Sequence, residues 1–192
     1  MFNNQPNFSI RVHGYGGQGI KSIANILAKA AIEEGLYAQA FPEFGPERRG
    51  APVKSYARFS GSPIMLRSHI ENPDFVIILD TNVLNLDATR EGVNKETHFL
   101  IQTDLTPQEI KKEFSFLPER HFIHCIDGNA WVAQYGNKIH SSIPVIGKFI
   151  QITEVVPLET IKEVITKEFF KKIGEEKTNL TQKALEEAYH QI

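Results

Sequence analysis

The sequence predicts an α/β fold: one domain, residues 1–192, with a mostly parallel sheet flanked by helices and an added β-hairpin. Two observations carry this prediction. Segments that alternate apolar and polar residues are followed, along most of the 192 residues, by segments with helical periodicity. The run FVIILD, Phe75 to Asp80, is almost entirely apolar, as expected for a strand covered on both faces in the middle of a parallel sheet.

The first predicted unit is a strand, a glycine-rich turn and a helix. Phe8–His13 alternates as a strand does, and Gly14–Gly19 contains four glycines. Ile20–Glu34 places its apolar residues on one face of a helix. We expect this helix to begin near Gln18 and to stop at Gly35.

An antiparallel hairpin is predicted in the middle of the chain. Tyr37–Phe41 is a short candidate strand before it. Val53–Phe59 and Ile64–Arg67 are the two arms, and the turn composition of Ser60–Ser62 joins them.

The later chain repeats the same alternation of elements. Further strands are predicted at His98–Gln102 and His121–Ile126, and further helices at Pro107–Phe114, from Asp127 through Trp131, at Pro157–Phe170, and at Leu180–Gln191 with Asn179 as its N-cap.

Composition excludes several classes of protein. The net charge of −2 gives no positive field for nucleic acid or for an anionic membrane surface. No apolar run approaches the ~20 residues of a spanning helix. The first residues, MFNNQPNFSI, lack a basic segment followed by an apolar one, so we expect no secretory signal and a cytoplasmic protein.

The chain has one cysteine, Cys125, which restricts its redox chemistry. It cannot form a disulfide within the chain, which favours a reducing compartment. A cubane iron–sulfur cluster takes about four thiolates, so we expect no cluster on this chain. Cys125 lies in an apolar, strand-like context that is typical of a core residue.

Metal binding and serine catalysis have little support in the sequence. His121 and His124 are three apart in a predicted strand, which would send them to opposite faces. No G-x-S-x-G elbow is present. We therefore expect neither a metal site nor catalytic residues on this chain.

The segment Gly14-Tyr15-Gly16-Gly17-Gln18-Gly19 fits the pattern G-x-G-x-x-G between a strand and a helix. Three interpretations are open: a dinucleotide site, a loop for another anion or a partner chain, or glycines that only let the helix pack closely. A dinucleotide site needs an acidic residue about 20 positions on. The nearest candidate is Glu43, but it lies in a segment rich in proline, glycine and other charges.

Residues 41–52, FPEFGPERRGAP, combine three prolines and two glycines with two aromatics and four charges. Either it is a solvated loop, in which Glu43 and Glu47 balance Arg48 and Arg49, or it is a docking loop. Stiffening lowers the entropy lost on binding, and arginine recognises carboxylates and phosphates. We favour docking.

Together, HGYGGQG and AQAFPEFGPERRGAPVKSYARFS resemble the gamma chains of pyruvate and branched-chain 2-oxoacid:ferredoxin oxidoreductases. The segments PIMLRSHIENPDFVIILD and SSIPVIGKFIQITEVVPLETI are also similar to that family. Its usual loop is HGRGGQG, with arginine where this chain has Tyr15.

The resemblance implies an enzyme that decarboxylates a 2-oxoacid with thiamine diphosphate and Mg, and passes electrons through 4Fe-4S clusters to ferredoxin or flavodoxin. It transfers the acyl group to coenzyme A. Alpha, beta and ferredoxin-like delta subunits would be the partners of this gamma-type chain and would hold the cofactors. The other class of function left open is a stand-alone nucleotide-binding oxidoreductase or carrier.

The resemblance also gives candidate site residues. The loop candidates for a cofactor are Gly14, Gly16, Gly17, Gln18 and Gly19, and the candidates for a partner or coenzyme A are Tyr15, Glu43, Phe44, Glu47, Arg48 and Arg49. We expect Tyr15, Phe41 and Phe44 to be exposed aromatics of a partner surface, and the chain to pack as a homodimer when crystallised alone.

Overall fold

A computed structural model describes residues 7–43, 51–66 and 68–191, and its strands form one six-stranded sheet. The strands are β1 (Asn7–Tyr15), β2 (Tyr37–Glu43), β3 (Pro52–Ser60), β4 (Phe75–Ile78), β5 (His98–Gln102) and β6 (Ile123–Ile126). The helices are α1 (Ile20–Glu33), α2 (Asp87–Arg90), α3 (Pro107–Glu113), α4 (Gly128–Gln134), α5 (Ser142–Thr153) and α6 (Leu158–His190), with 3₁₀ turns at Thr81–Asn85 and Arg120–Phe122.

The order of strands in the sheet is β2-β3-β1-β4-β5-β6. The pairs β1–β4, β4–β5 and β5–β6 are parallel, while β3 runs antiparallel to both β1 and β2. The predicted fold class, α/β with a mostly parallel sheet, is confirmed.

Helices cover the parallel strands on both faces, which explains why those strands are apolar throughout. On one face, Val12 and Ile77 belong to the same buried cluster as Phe149 of α5. On the other, Val76 lies in a second cluster with Ile110 of α3. Successive residues of β4 therefore enter two different cores.

Helix α1 has the predicted amphipathic character, with Ile23, Leu27 and Ala31 fully buried. It begins at Ile20, because Gly19 takes a left-handed conformation with φ of 87° and interrupts the helical backbone. Gly35, with φ of 78°, follows its end. The predicted helix is confirmed to within two residues at its start.

The hairpin prediction is wrong in its arms. Ser60 is the last residue of β3 and the chain bends at Gly61 and Ser62, but residues 63–66 do not form a strand. The side chain of Arg58 donates to the carbonyl oxygens of Leu66 and Ser68 over 3.1 and 3.2 Å. These carbonyl oxygens accept hydrogen bonds from a side chain rather than from the backbone of a paired strand. The consecutive strands that do pair antiparallel are β2 and β3.

Two further boundaries differ from the prediction. His121 lies in a 3₁₀ turn, and β6 begins only at Ile123, so His121 and His124 do not share a strand. The last two predicted helices form α6 with a break at Gly174, whose φ of 80° and ψ of 172° are non-helical. The second half therefore starts after Gly174, and Asn179 is inside it rather than at its N-cap.

The carboxyl ends of β1, β4, β5 and β6 meet at one edge of the sheet because these strands are parallel. The chain leaves β1 toward α1 on one face, whereas the segment after β4 packs on the opposite face. Connections that diverge in this way open a crevice between adjacent strands, the usual place of a ligand site in α/β sheets.

Candidate functional site

A cleft of about 540 Å³ occupies this crevice, and we call it the carboxyl-edge cleft. It is lined by Gly17, Gln18, Leu79, Asp80, Thr81, Gln102, Thr103, Asp104, Asp127, Asn129, His140 and Ser141. Most of these residues directly follow a strand, so the sheet itself positions them. Polar groups of five chain segments thus converge on one volume.

Gln18 connects the glycine loop to the end of β4. Its Oε1 accepts from the backbone N–H of Tyr15 over 2.7 Å, and its Nε2 donates to Oδ2 of Asp80 over 3.1 Å. The other carboxylate oxygen of Asp80 accepts from the backbone N–H of Asn82 over 3.0 Å. Both oxygens of Asp80 are therefore held in place at the mouth of the cleft.

The opposite wall is formed by the start of α4. Asp127 caps this helix by accepting from the backbone N–H groups of Asn129 and Ala130 over 3.1 and 2.9 Å. A Cβ on Gly128 would lie 2.7 Å from the carbonyl oxygen of Ser141. Glycine at this position is what lets the helix approach the rest of the wall.

His140 links this wall to the glycine loop. Its Nδ1 accepts from the backbone N–H of Ser142 over 3.2 Å, which leaves the hydrogen on Nε2. Nε2 lies 3.1 Å from the carbonyl oxygen of Gly17 and donates to it. The imidazole thereby fixes the tip of the loop, although 123 residues separate the two partners.

The electrostatic character of the cleft differs from that of a phosphate site. Asp80, Asp104 and Asp127 contribute carboxylates to its lining, and no lysine or arginine contributes to it among the described residues. Like charges close to each other disfavour an added anion. The lining favours ligand groups that donate hydrogen bonds, such as amide N–H and hydroxyl groups.

The glycines of the loop have two different roles. A Cβ on Gly14 would lie 2.6 Å from Oε1 of Gln18, and one on Gly19 would lie 2.9 Å from Oγ of Ser142. Both positions therefore need glycine for close packing. Gly16 and Gly17 meet nothing within 4 Å and are exposed. Only these two could be approached by a ligand.

The dinucleotide interpretation of the loop conflicts with the sheet order. In a dinucleotide fold the second strand lies beside the first and ends in the acidic residue that binds ribose. Here β3 lies between β1 and β2. Glu43, at the end of β2, does not line the cleft.

Glu43 instead belongs to a polar network on the face of the sheet opposite α1. It accepts a hydrogen bond from the hydroxyl of Tyr56, and Nζ of Lys54 lies 3.7 Å and Nδ1 of His69 3.3 Å from its Oε2. Burial alone would raise the pKa of Glu43, but the hydrogen bond from Tyr56 and the charge of Lys54 hold it below its ordinary value. Burial, and then Glu43 itself, raise the pKa of Tyr56.

The expectation of exposed aromatics is wrong for two of its three residues. Tyr15 is half-buried and packs against the second apolar cluster. Phe41 is half-buried and stacks on Tyr56 with ring centroids 5.1 Å apart. Within the described part of the chain, the exposed large apolar side chains are Ile32, Tyr37, Met65, Leu66 and Phe170.

The remaining candidates lie outside the described residues. These are Phe44, Glu47, Arg48 and Arg49, all within residues 44–50. Their roles remain predictions from the sequence.

Sequence reasoning missed most of the cleft. Asp80 is the last residue of a predicted strand and Asp127 follows another, and that position was a usable signal for the carboxyl edge. Asp104 and His140 carried no such signal. His140 comes near the loop only through the packing of α5 against the sheet.

Membrane-spanning helices and metal clusters are absent from the described ranges, 7–43, 51–66 and 68–191. Neither α6 nor any shorter helix there has the length and apolar character needed to cross a bilayer. No group of three or more His, Cys, Asp or Glu side chains there has the spacing to hold a metal ion.

Comparison with known proteins identifies the family. The family model for pyruvate ferredoxin/flavodoxin oxidoreductase matches residues 9–191. The chain is 36% identical to pyruvate synthase subunit PorC of Thermotoga maritima, covering 96% of this chain and 94% of that one. It is 33% identical to the common gamma subunit of the pyruvate/ketoisovalerate oxidoreductases of Pyrococcus furiosus, covering 92% and 95%.

The fold agrees with this similarity. The crystal structure of the pyruvate oxidoreductase subunit PORC from Thermotoga maritima superposes with a TM-score of 0.82 at 32% identity, covering 97% of each chain. Sequence and fold thus match the same proteins over nearly their whole length. The chain belongs to the pyruvate ferredoxin/flavodoxin oxidoreductase family.

Proposed function

We propose that this chain is the gamma subunit of a 2-oxoacid:ferredoxin oxidoreductase of the cytoplasm, with pyruvate as the oxoacid. The observation that carries the proposal is the full-length match to proteins described as subunit PorC and as the common gamma subunit. The assembled enzyme converts pyruvate and coenzyme A into acetyl-CoA and CO₂. The two electrons released reduce ferredoxin or flavodoxin, and the reverse reaction consumes them.

In this proposal the redox centres belong to other subunits. Thiamine diphosphate, Mg and the 4Fe-4S clusters reside in the alpha, beta and delta chains, because one cysteine cannot ligate a cluster that takes about four thiolates. The gamma chain supports assembly and contacts the coenzyme A side of the reaction.

The carboxyl-edge cleft is our candidate for the coenzyme A contacts. Its carboxylates and amide oxygens are acceptors for the amide N–H groups of the pantetheine arm. The same carboxylates disfavour the phosphates, which need cations. Arg48 and Arg49 supply cations in the segment that follows β2, and we assign them to coenzyme A phosphates or to carboxylates of a partner subunit.

The arginines are tested in the assembled enzyme by Arg48→Ala and Arg49→Ala. If an arginine supports docking, its variant loses co-purifying alpha and beta chains. If it binds a phosphate, assembly survives and the KM for coenzyme A rises, while the KM for pyruvate does not. Arg120→Ala is the control, because Arg120 is exposed before β6, at the opposite end of the sheet. Normal assembly and kinetics in both variants would refute the assignment of these residues.

The cleft is tested by Asp104→Ala, since Asp104 is exposed and lines the cleft. Loss of one hydrogen bond of about 1 kcal/mol should raise the KM for coenzyme A about fivefold and leave kcat unchanged. Glu119→Ala removes an exposed carboxylate outside the cleft and should change neither constant. An unchanged KM in Asp104→Ala would exclude this wall from the coenzyme A site.

A further inference from the structure

We propose that the outer edge of β2 pairs with β2 of a second copy of this chain, so that the two sheets continue into each other across a two-fold axis. The proposal concerns a surface distant from the carboxyl-edge cleft, and it does not depend on the function proposed above.

Within the described part of the chain, the outer edge of β2 has no backbone partner. Strand β2 pairs with β3 on one side and is the last strand of the sheet on the other. Among the described residues no other segment forms a backbone hydrogen bond with Tyr37–Glu43. Exposed edges are normally protected by charged side chains, by proline or by a bulge. The first five residues of β2 contain none of these, and Pro42 comes only after them.

The sequence of this edge is symmetric about Gln39. It runs aromatic, Ala, Gln, Ala, aromatic from Tyr37 to Phe41. When two such strands pair antiparallel about a two-fold axis at Gln39, Tyr37 of each copy lies opposite Phe41 of the other. Aromatic pairs across neighbouring strands stabilise a sheet by about 0.2–1 kcal/mol each, and the symmetry supplies two of them.

Other registers lose these pairs. A shift of two residues in one direction places Phe41 opposite Gln39 and Tyr37 opposite Glu43. In the other direction it places Tyr37 opposite Gln39 and Phe41 opposite Gly35. A shift of one residue sends side chains of the two copies to opposite faces. In the symmetric register Glu43 lies opposite Gly35 of the other copy, so like charges do not meet. One register is therefore preferred.

The surroundings of the edge are compatible with a second copy. On the α1 face β2 presents the small residues Ala38 and Ala40, which pack against the core and leave room for the approaching strand. Tyr37 is 49% exposed, and Ile32 in the last turn of α1 is 56% exposed. Both are large apolar side chains beside the start of β2. A second copy would cover them.

Cross-linking of the full chain tests both the interface and its register. Gln39 would face its own counterpart across the axis, at a Cα spacing of about 4.5–5.5 Å that a disulfide can bridge. We expect Gln39→Cys to give a covalent dimer on mild oxidation. Tyr37→Cys and Phe41→Cys would each lie about 13 Å along the strand from their own counterparts. Alone they should not cross-link, whereas an equal mixture of the two should.

Wild type is the control, because Cys125 is its one thiol and burial raises the pKa of that thiol to about 12. Light scattering of unmodified wild type should give twice the chain mass of 21.7 kDa. Tyr37→Lys, which places a charge on the exposed edge, should shift it to monomer with an unchanged circular dichroism spectrum. Its melting temperature should fall, because association stabilises the folded chain. A monomeric wild type would overturn the proposal. So would a dimer in which Gln39→Cys fails to cross-link, since its interface would lie elsewhere.

Discussion

Nε2 of Gln18 donates to Oδ2 of Asp80 over 3.1 Å, which joins the loop after β1 to the end of β4 across the crevice of the sheet. The two residues are 62 positions apart in the chain. Their contact lies at the mouth of the cleft, at the point where the connections diverge to opposite faces. The conformation of the glycine loop therefore depends on Asp80, which follows another strand.

Gln18→Ala should destabilise the protein, because it leaves one oxygen of Asp80 and the N–H of Tyr15 without their partner. A loss of about 1–2 kcal/mol in the free energy of unfolding is expected from urea titration. Gln18→Glu should cost at least as much, since it brings a second carboxylate to Asp80. Gln108→Ala, on an exposed position of α3, should change stability little. Equal stabilities in all variants would show that the loop does not need this link.

Gly19→Ala and Gly16→Ala form a matched pair within the same loop. At Gly19 the new methyl group would lie 2.9 Å from Oγ of Ser142 and would stand on a backbone with φ of 87°. Clash and strain together should cost about 2 kcal/mol or more. At Gly16 nothing lies within 4 Å and φ is not positive, so alanine should be nearly neutral. The midpoint of urea unfolding measures both. A larger loss at Gly16 would contradict the packing described for Gly19.

Local sequence patterns were sufficient to predict the parallel part of the sheet. The apolar run at β4 and the helical face of α1 are each set by residues close in sequence, so the fold class followed from periodicity. The cleft was harder to predict, because Gln18 meets Asp80, and His140 meets Gly17, only after the sheet has formed. Strand direction placed Asp80 at the carboxyl edge, but no local signal placed His140 there.

The hairpin arm that was wrongly predicted after Ser62 has a similar explanation. The segment after it has the composition of a strand, and Ser60 and Ser62 have the composition of a turn. The side chain of Arg58, however, bonds the carbonyl oxygens of Leu66 and Ser68. A long side chain from the preceding strand thus takes acceptors that a hairpin partner would have used. Periodicity contains no information about that competition.

Tyr56→Phe should lower stability, because it removes the hydroxyl that donates to Glu43 on the polar face of the sheet. Loss of a hydrogen bond to a carboxylate should cost about 1.5–3 kcal/mol at pH 7. The pKa of Glu43 is held below its ordinary value of 4.5 in the folded protein. Its contribution is therefore complete above that value and is lost as the pH falls through the folded pKa.

The penalty of Tyr56→Phe should thus be largest near neutral pH and should shrink as the pH falls below 4.5 through the folded pKa of Glu43. Urea unfolding at pH 7, 5 and 3.5 measures it. Tyr189→Phe is the control, since Tyr189 is half-buried on another face of the protein, beside Ile150 of α5. A penalty that grows as the pH falls would exclude Glu43 as the partner that matters.

His13 makes the stability of the protein sensitive to mild acid. It is 3% exposed on β1, and burial, followed by the charges of Arg11 and Lys54, lowers its pKa from 6.5 to about 3. Between these two values the unfolded chain binds a proton at this residue that the folded chain does not. Stability should therefore fall as the pH falls, by up to about 1.4 kcal/mol per pH unit from this residue.

His13→Gln should reduce that slope, because glutamine does not titrate, even if the substitution lowers stability at every pH. His124, whose pKa burial lowers to about 4, should contribute a slope of the same sign and leave part of the acid sensitivity in the variant. The free energy of unfolding in urea, measured at half-unit steps from pH 7 to pH 4.5, gives both slopes. An identical slope in wild type and His13→Gln would mean that His13 gains its proton while the chain remains folded.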